Sequence, residues 1–165
     1  CYCSPFQNME RKVIYIDVDG TLTDGKMYID HLGEKMFKAF CSRDVRAIRE
    51  LIYHGFRVIL VSADDHPSAK HFAEKVGAEF ICERDKSKLP PADYAIADDA
   101  WDIPMLKKAG KAFCPVDADL SVRTIPNITV LYSEGGGGVV ANFIQKIFVD
   151  GNHVPARNGL QAEKL

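Results

Sequence analysis

Asp17 and Asp19 sit two residues apart in IDVDGTLTDG, residues 16–25, directly after an apolar run. Along an extended segment, side chains at i and i+2 point the same way. Both carboxylates therefore face one small volume, where like charges repel unless a cation stands between them. Further polar groups end other apolar stretches: Asp98 and Asp99 close DYAIADD, and Ser62 closes FRVILVS. Three or four carboxylates meeting at strand ends make a hard, oxygen-rich cation site. Mg2+ suits it, usually held by few carboxylates with water and phosphate oxygens completing an octahedron. Such an ion screens an incoming phosphate from a carboxylate nucleophile, and an aspartate there can form an aspartyl-phosphate. A carboxylate two residues on can protonate the leaving oxygen and then activate water. Thr21, Ser62 and a lysine would donate to the phosphoryl oxygens.

The elements that must aim these groups can be read from the pattern. Val13 to Val18 is apolar except for Asp17, as in a strand buried on both faces. Lys26 to Ile29 and Glu34 to Phe40 flank DHLGE, which reads as a hairpin turn. Ser42 or Asp44 could cap a helix through Tyr53, with Val45, Ile48, Leu51 and Ile52 on one face. FRVILVS, EFIC, DYAIADD, KAFCPV and ITVLY read as strands. Pro67 to Val76, stopped by Gly77, and Ile103 to Ala109 read as helices, with a last one from about Val139 to Phe148. Strand alternating with helix predicts an α/β fold with a doubly wound, Rossmann-like parallel sheet. In such sheets ligands bind beyond the carboxyl ends of the strands, where Asp17, Asp19, Ser62, Asp98 and Asp99 all fall.

At 165 residues the chain is most simply one domain. We expect an N-terminal extension over 1–8, a single catalytic domain over 9–150 with a hairpin flap at about 25–40 and no cap domain, and a loose polar tail over 151–165. CYCSPFQN lacks the basic start and long apolar stretch of a secretory signal. The near balance of 21 basic and 23 acidic residues offers no electrostatic argument for nucleic acid or a membrane surface, and the longest apolar run is too short to span a bilayer. Five scattered cysteines read as free thiols in a reducing cytoplasm, and Cys1-x-Cys3 is a weak metal signal.

Taken in order, DVDGTLTDG, VSADD after a strand, an intervening lysine and ADDAWDIPML resemble the four motifs of the haloacid dehalogenase superfamily. The extended first motif, GEKMFKAFCSRD and the glycine run resemble, more narrowly, its capless subclass typified by the 3-deoxy-D-manno-octulosonate 8-phosphate phosphatases. The resemblance spans Lys12 to Phe148. It implies Asp17 as nucleophile and metal ligand, and Asp19 as general acid/base that also ligates the metal through its backbone carbonyl. It implies Asp98 as the ligand from the fourth motif, with Asp99 and Asp102 orienting metal waters and the lysine. Ser62 would bind the phosphoryl group, Lys86 would neutralise it, and Arg43 and Asp44 match a pair near the mouth of the site. The implied cofactor is Mg2+, the substrate a small phosphorylated metabolite, most simply a sugar or sugar acid, and the assembly a homotetramer.

Departures from the pattern bear on substrate. Ala63 and Asp64 stand where the family has glycine and arginine, Ala97 replaces a glycine, and Ala141 and Asn142 replace an arginine–glutamate pair. Losing guanidinium groups removes bidentate partners for a substrate carboxylate, so the octulosonate itself is not the expected substrate. SKLPPADY leaves room for only a turn between the third and fourth motifs. Two other readings stand beside the enzyme: a catalytically weak oligomerisation or binding module for a partner enzyme, and a phosphatase for nucleotide or nucleic-acid phosphate, which the charge balance disfavours for polymers. Gly135 to Gly138 is either a plain loop or an anion site at the next helix N-terminus. Trp101 reads as packing, and Phe37 and Phe40 as a buried strand face or a subunit contact.

Overall fold

The structure is a computed structural model and describes residues 11–150. The expected extension, the tail and the Cys1-x-Cys3 signal lie outside the described residues. Five core strands follow the apolar runs: β1 Val13–Asp17, β4 Arg57–Ser62, β5 Glu79–Cys82, β6 Tyr94–Ile96 and β7 Lys111–Cys114. With the two-residue β8, Thr129–Val130, they form a parallel sheet ordered β5-β4-β1-β6-β7-β8. β1 lies between β4 and β6, with Asp17 level with Val61 and Ile16 level with Ile96. That register brings the ends of three motif-bearing strands to one edge.

Alternate residues of the central strands feed two cores. Ile14, Ile16, Val58, Leu60 and Ile96 face helices α1 Ser42–Tyr53, α2 Pro67–Val76 and α5 Val139–Asp150. Tyr15, Ile59, Val61 and Ala95 face α3 Ile103–Lys108 and the short α4 Leu120–Arg123. Burial on both faces is why the strands read as unbroken apolar runs rather than alternating ones. Phe143 of α5 is fully buried and meets the Phe113 ring edge-on at 4.9 Å; truncating such a side chain to alanine costs about 3–5 kcal/mol.

The flap is a two-stranded antiparallel hairpin, β2 Tyr28–Ile29 and β3 Lys35–Phe37. Asp30 shapes its turn by accepting from the backbone N–H groups of Leu32 and Glu34. No cap domain separates β1 from α1. The crossover from Lys86 to Tyr94 contains one 3-10 turn, Lys86–Lys88, as its two prolines require. Leu89 and Ala92 are buried against the second core there, and Lys108 clamps the turn through the carbonyls of Ser87 and Leu89.

Four expectations change. α1 starts after Cys41 without a side-chain cap. Asp44 instead turns away from its own helix and accepts from the N–H groups of Val140 and Ala141, at 2.9 and 3.1 Å, capping α5. Trp101 is 81% exposed rather than packed. Phe37 is exposed and stacks on Tyr28, while only Phe40 packs inward, face to face with Phe72.

Candidate active site

Asp17 is the last residue of β1 and is almost wholly buried. The chain then leaves the sheet through a tight turn, Val18–Leu22, in which Asp19 is extended and Gly20 is left-handed at φ 84°. Thr23 closes this turn: its N–H reaches Val18 O, and its hydroxyl accepts from the N–H groups of Gly20 and Gly25. Gly20 meets two demands at once. A Cβ on it would stand 2.1 Å from Asp98 Oδ2, and its φ is one that L residues rarely adopt.

Asp17, Asp98 and Asp102 offer carboxylate oxygens within 4.8 Å of one another. Lys86, itself 3% exposed, donates from Nζ to Asp17 Oδ1 at 2.8 Å and to Asp102 Oδ1 at 2.5 Å. Burial disfavours the ammonium, but its two carboxylate partners outweigh that and raise the Lys86 pKa. Burial pushes the Asp17 carboxyl well above its ordinary value, aided by repulsion from Asp102 and Asp98 and opposed by Lys86. Asp98 is pushed up to about 6, again chiefly by burial, with the Thr21 hydroxyl opposing and Asp102 and Asp99 adding repulsion. One ammonium is thus too little for three clustered acids. A hard divalent cation fits this oxygen set and would offset the remaining repulsion.

The expected site residues divide into those facing the cluster and those supporting it. Thr21 is fully buried, and its hydroxyl donates to Asp98 Oδ1 at 3.0 Å, so it aims Asp98. Asp99 is exposed and caps the 3-10 turn Ala100–Asp102 by accepting from the Trp101 N–H, while Asp102 Oδ2 accepts from the Asp99 N–H. Ser62 is buried; its hydroxyl accepts from the Asp64 N–H at 3.0 Å and lies 3.4 Å from Asp19 Oδ2. The Asp19 side chain stands outside the three-acid cluster and takes a hydrogen bond from Lys38 on the flap side. Arg43 reaches the Gly137 carbonyl at 3.1 Å and so supports the glycine loop.

The glycine run is a close-packed floor. Gly136 N–H donates to Thr21 O at 3.0 Å, and a Cβ on Gly135 would come within 1.9 Å of Gly20 O. The anion-site reading for α5 does not hold, because the Asp44 carboxylate already occupies that helix N-terminus. Sequence reasoning missed Lys35 and Lys38. Asp64 was the available signal, since a half-buried carboxylate beside an acidic site calls for a counter-charge.

No family model matches the chain. A 3-deoxy-D-manno-octulosonate 8-phosphate phosphatase of Haemophilus influenzae is 31% identical over 140 residues, covering 77% of each chain. This chain belongs to the haloacid dehalogenase superfamily. The cobalt-bound deoxy-D-mannose-octulosonate 8-phosphate phosphatase from the same species superposes with a TM-score of 0.77 at 25% identity, over 86% of this chain and 90% of its own. A Moraxella catarrhalis 3-deoxy-D-manno-octulosonate 8-phosphate phosphatase, solved with a magnesium ion, a phosphate ion and a KDO molecule, shares the fold at 22% identity and TM-score 0.75, over 84% of this chain and 86% of its own. Within the haloacid dehalogenase superfamily this chain is of the capless type, a phosphoric monoester hydrolase with a hairpin beside the site. No helix among the described residues is long and apolar enough to cross a membrane.

Proposed function

We propose that this phosphatase hydrolyses a small phosphorylated sugar or sugar acid with Mg2+, through an aspartyl-phosphate on Asp17. The observation that carries the reading is the buried Asp17 carboxylate, held by Lys86 on one oxygen and facing Asp98 with the other side of the cluster. Asp17 and Asp98 side chains, with the Asp19 backbone carbonyl, would hold the cation. When bound, it supplies charge to draw the phosphate onto a negative nucleophile. The presence of both magnesium and phosphate in the Moraxella relative's complex supports the choice of ion.

An oxygen of Asp17 attacks phosphorus, and the bond from phosphorus to the sugar oxygen breaks. Asp19, whose side chain lies off the cluster toward the open flap side, hands a proton to that leaving oxygen. Water then attacks the aspartyl-phosphate, Asp19 takes its proton, and the Asp17–phosphorus bond breaks to release phosphate. Lys86 neutralises the transferring group and keeps one Asp17 oxygen fixed. Ser62, buried beside Asp19, donates to the same phosphoryl group. Thr21, Asp99 and Asp102 hold Asp98 and Lys86 in place.

The flap exposes Met27, Ile29, Leu32 and Met36 along with Phe37. Such a patch beside the active site suits a second copy of the chain, consistent with a homotetramer. Phosphate release from a panel of sugar phosphates, with and without Mg2+, tests the function. We expect Mg2+-dependent turnover that Asp17→Asn abolishes. Turnover surviving in Asp17→Asn would overturn the mechanism, and none by the wild type would return the binding-module reading.

A further inference from the structure

To protonate a leaving oxygen, Asp19 must present one particular carboxyl oxygen to it. Its side chain is 42% exposed, so hydrogen bonds rather than close packing must aim it. Two groups face it. Lys38, the residue that follows β3 at the root of the flap, donates from Nζ to Asp19 Oδ1 at 2.5 Å. The Ser62 hydroxyl lies 3.4 Å from Asp19 Oδ2. The two oxygens are therefore not equivalent. An O–H at Oδ1 would meet an ammonium, which has no acceptor to offer, so a proton on Asp19 belongs on Oδ2. That oxygen lies beside the serine proposed to hold the phosphoryl group.

Lys38 is itself tethered. Its side chain is 11% exposed, and Nζ also donates to Asp64 Oδ2 at 3.0 Å, on the loop after β4. Lys35 reaches the same oxygen at 2.8 Å, and the His66 N–H donates to Asp64 Oδ1 at 3.2 Å. The Asp64 backbone is fixed in turn, its N–H donating to Ser62 Oγ at 3.0 Å. Burial opposes ionisation of Asp64, but hydrogen bonds from Lys35 and Lys38 and from the His66 N–H overcome it and hold its carboxyl well below the usual range. Asp64 thus keeps its hold on Lys38 when Asp19 carries a proton. Lys26, Lys35 and Lys38 outnumber the two acids that line this groove, so Lys38 keeps its place by this tether and not by overall neutrality.

We infer that Lys38, anchored by Asp64, is a positioning residue that fixes the Asp19 side chain so that Oδ2 gives and takes the proton. The inference rests on the proposed role of Asp19 and adds how that carboxyl is aimed. As the bond from phosphorus to the leaving oxygen breaks, its electron pair stays on that oxygen, which takes the Oδ2 proton. In the second half the attacking water returns a proton to Oδ2 while its oxygen bonds phosphorus. Oδ1 stays on Lys38 throughout.

The test uses the full chain with Mg2+ and two aryl esters that differ by one nitro group, phenyl phosphate and p-nitrophenyl phosphate. p-Nitrophenolate leaves readily without a proton, whereas phenolate gains far more from an acid. The ratio of kcat/KM for p-nitrophenyl phosphate to that for phenyl phosphate is internal to each variant, so any loss of folded protein cancels. Asp19→Asn removes the acid, should raise the ratio and sets its ceiling. Lys38→Met, which keeps the apolar stem without the ammonium, should raise it about tenfold toward that ceiling. Asp64→Ala, which frees Lys38, should raise it by a smaller factor. A lysine that served only the fold would lower both esters together. A wild-type ratio in Lys38→Met or Asp64→Ala, while Asp19→Asn raises it, overturns the inference alone. A wild-type ratio in Asp19→Asn overturns the role of Asp19 and the inference with it, and turnover of neither ester by the wild type rejects the phosphatase reading as well.

Discussion

Lys86 Nζ lies 2.8 Å from Asp17 Oδ1, with the two side chains 2% and 8% exposed. An ion pair this dry is held by geometry rather than by net Coulomb gain, since desolvation consumes most of the attraction. Its value is positional: it locks one oxygen of the nucleophile and leaves the other side of the acid cluster to a cation.

Removing the ammonium should expose that imbalance. Lys86→Met leaves Asp17 and Asp102 buried without their partner, and in chelator we expect a loss of about 3 kcal/mol in urea unfolding. Saturating Mg2+ should recover part of this while activity stays low. Unchanged stability in chelator would contradict the buried pairing.

Mg2+ should itself stabilise the protein. A ligand at about 100 times its Kd adds roughly 2.7 kcal/mol, visible as a rise in Tm. The single tryptophan, Trp101, sits exposed between Asp99 and Asp102, so its fluorescence should report the same titration. Asp98→Asn should remove both responses.

Asp44 carries a pH signature away from the acid cluster. Burial raises its carboxyl from 3.8 to about 6, despite three backbone N–H groups of α5 that favour the ionised form. A folded-state value above the unfolded one means the native state binds more protons in that window, so this contribution to stability falls as pH rises from about 4 to 6 and stays lost above it. Asp44→Asn keeps an acceptor for Val140 and Ala141 without the charge. Its stability relative to wild type should improve by roughly 2 kcal/mol between pH 4 and pH 7; parallel pH profiles in urea denaturation would exclude this role.

The glycines at the turn predict a defect of alignment. Gly20→Ala places a methyl 2.1 Å from Asp98 Oδ2, and Gly135→Ala places one 1.9 Å from Gly20 O. Displacing reacting groups by about 1 Å costs on the order of 100-fold in rate. We expect kcat losses of that size with circular dichroism intact.

Much of this was legible in the sequence because it depends on local pattern. The buried strand β1 and its terminal Asp17 follow from an apolar run interrupted by one acid, and α2 follows from Pro67 and Gly77, residues whose backbone limits act without a partner. The absence of a crossover helix follows in the same way from Pro90 and Pro91. The order of motifs was enough to single out Asp17, Asp98 and Lys86. What the tertiary structure decided are the pairings between distant segments. Thr21 serves Asp98, Asp44 caps a helix 96 residues away, and Lys35 and Lys38 balance Asp64. Each of those side chains satisfies a charge or an orphan N–H supplied by another element, and burial makes such satisfaction compulsory without saying, in one dimension, which partner provides it.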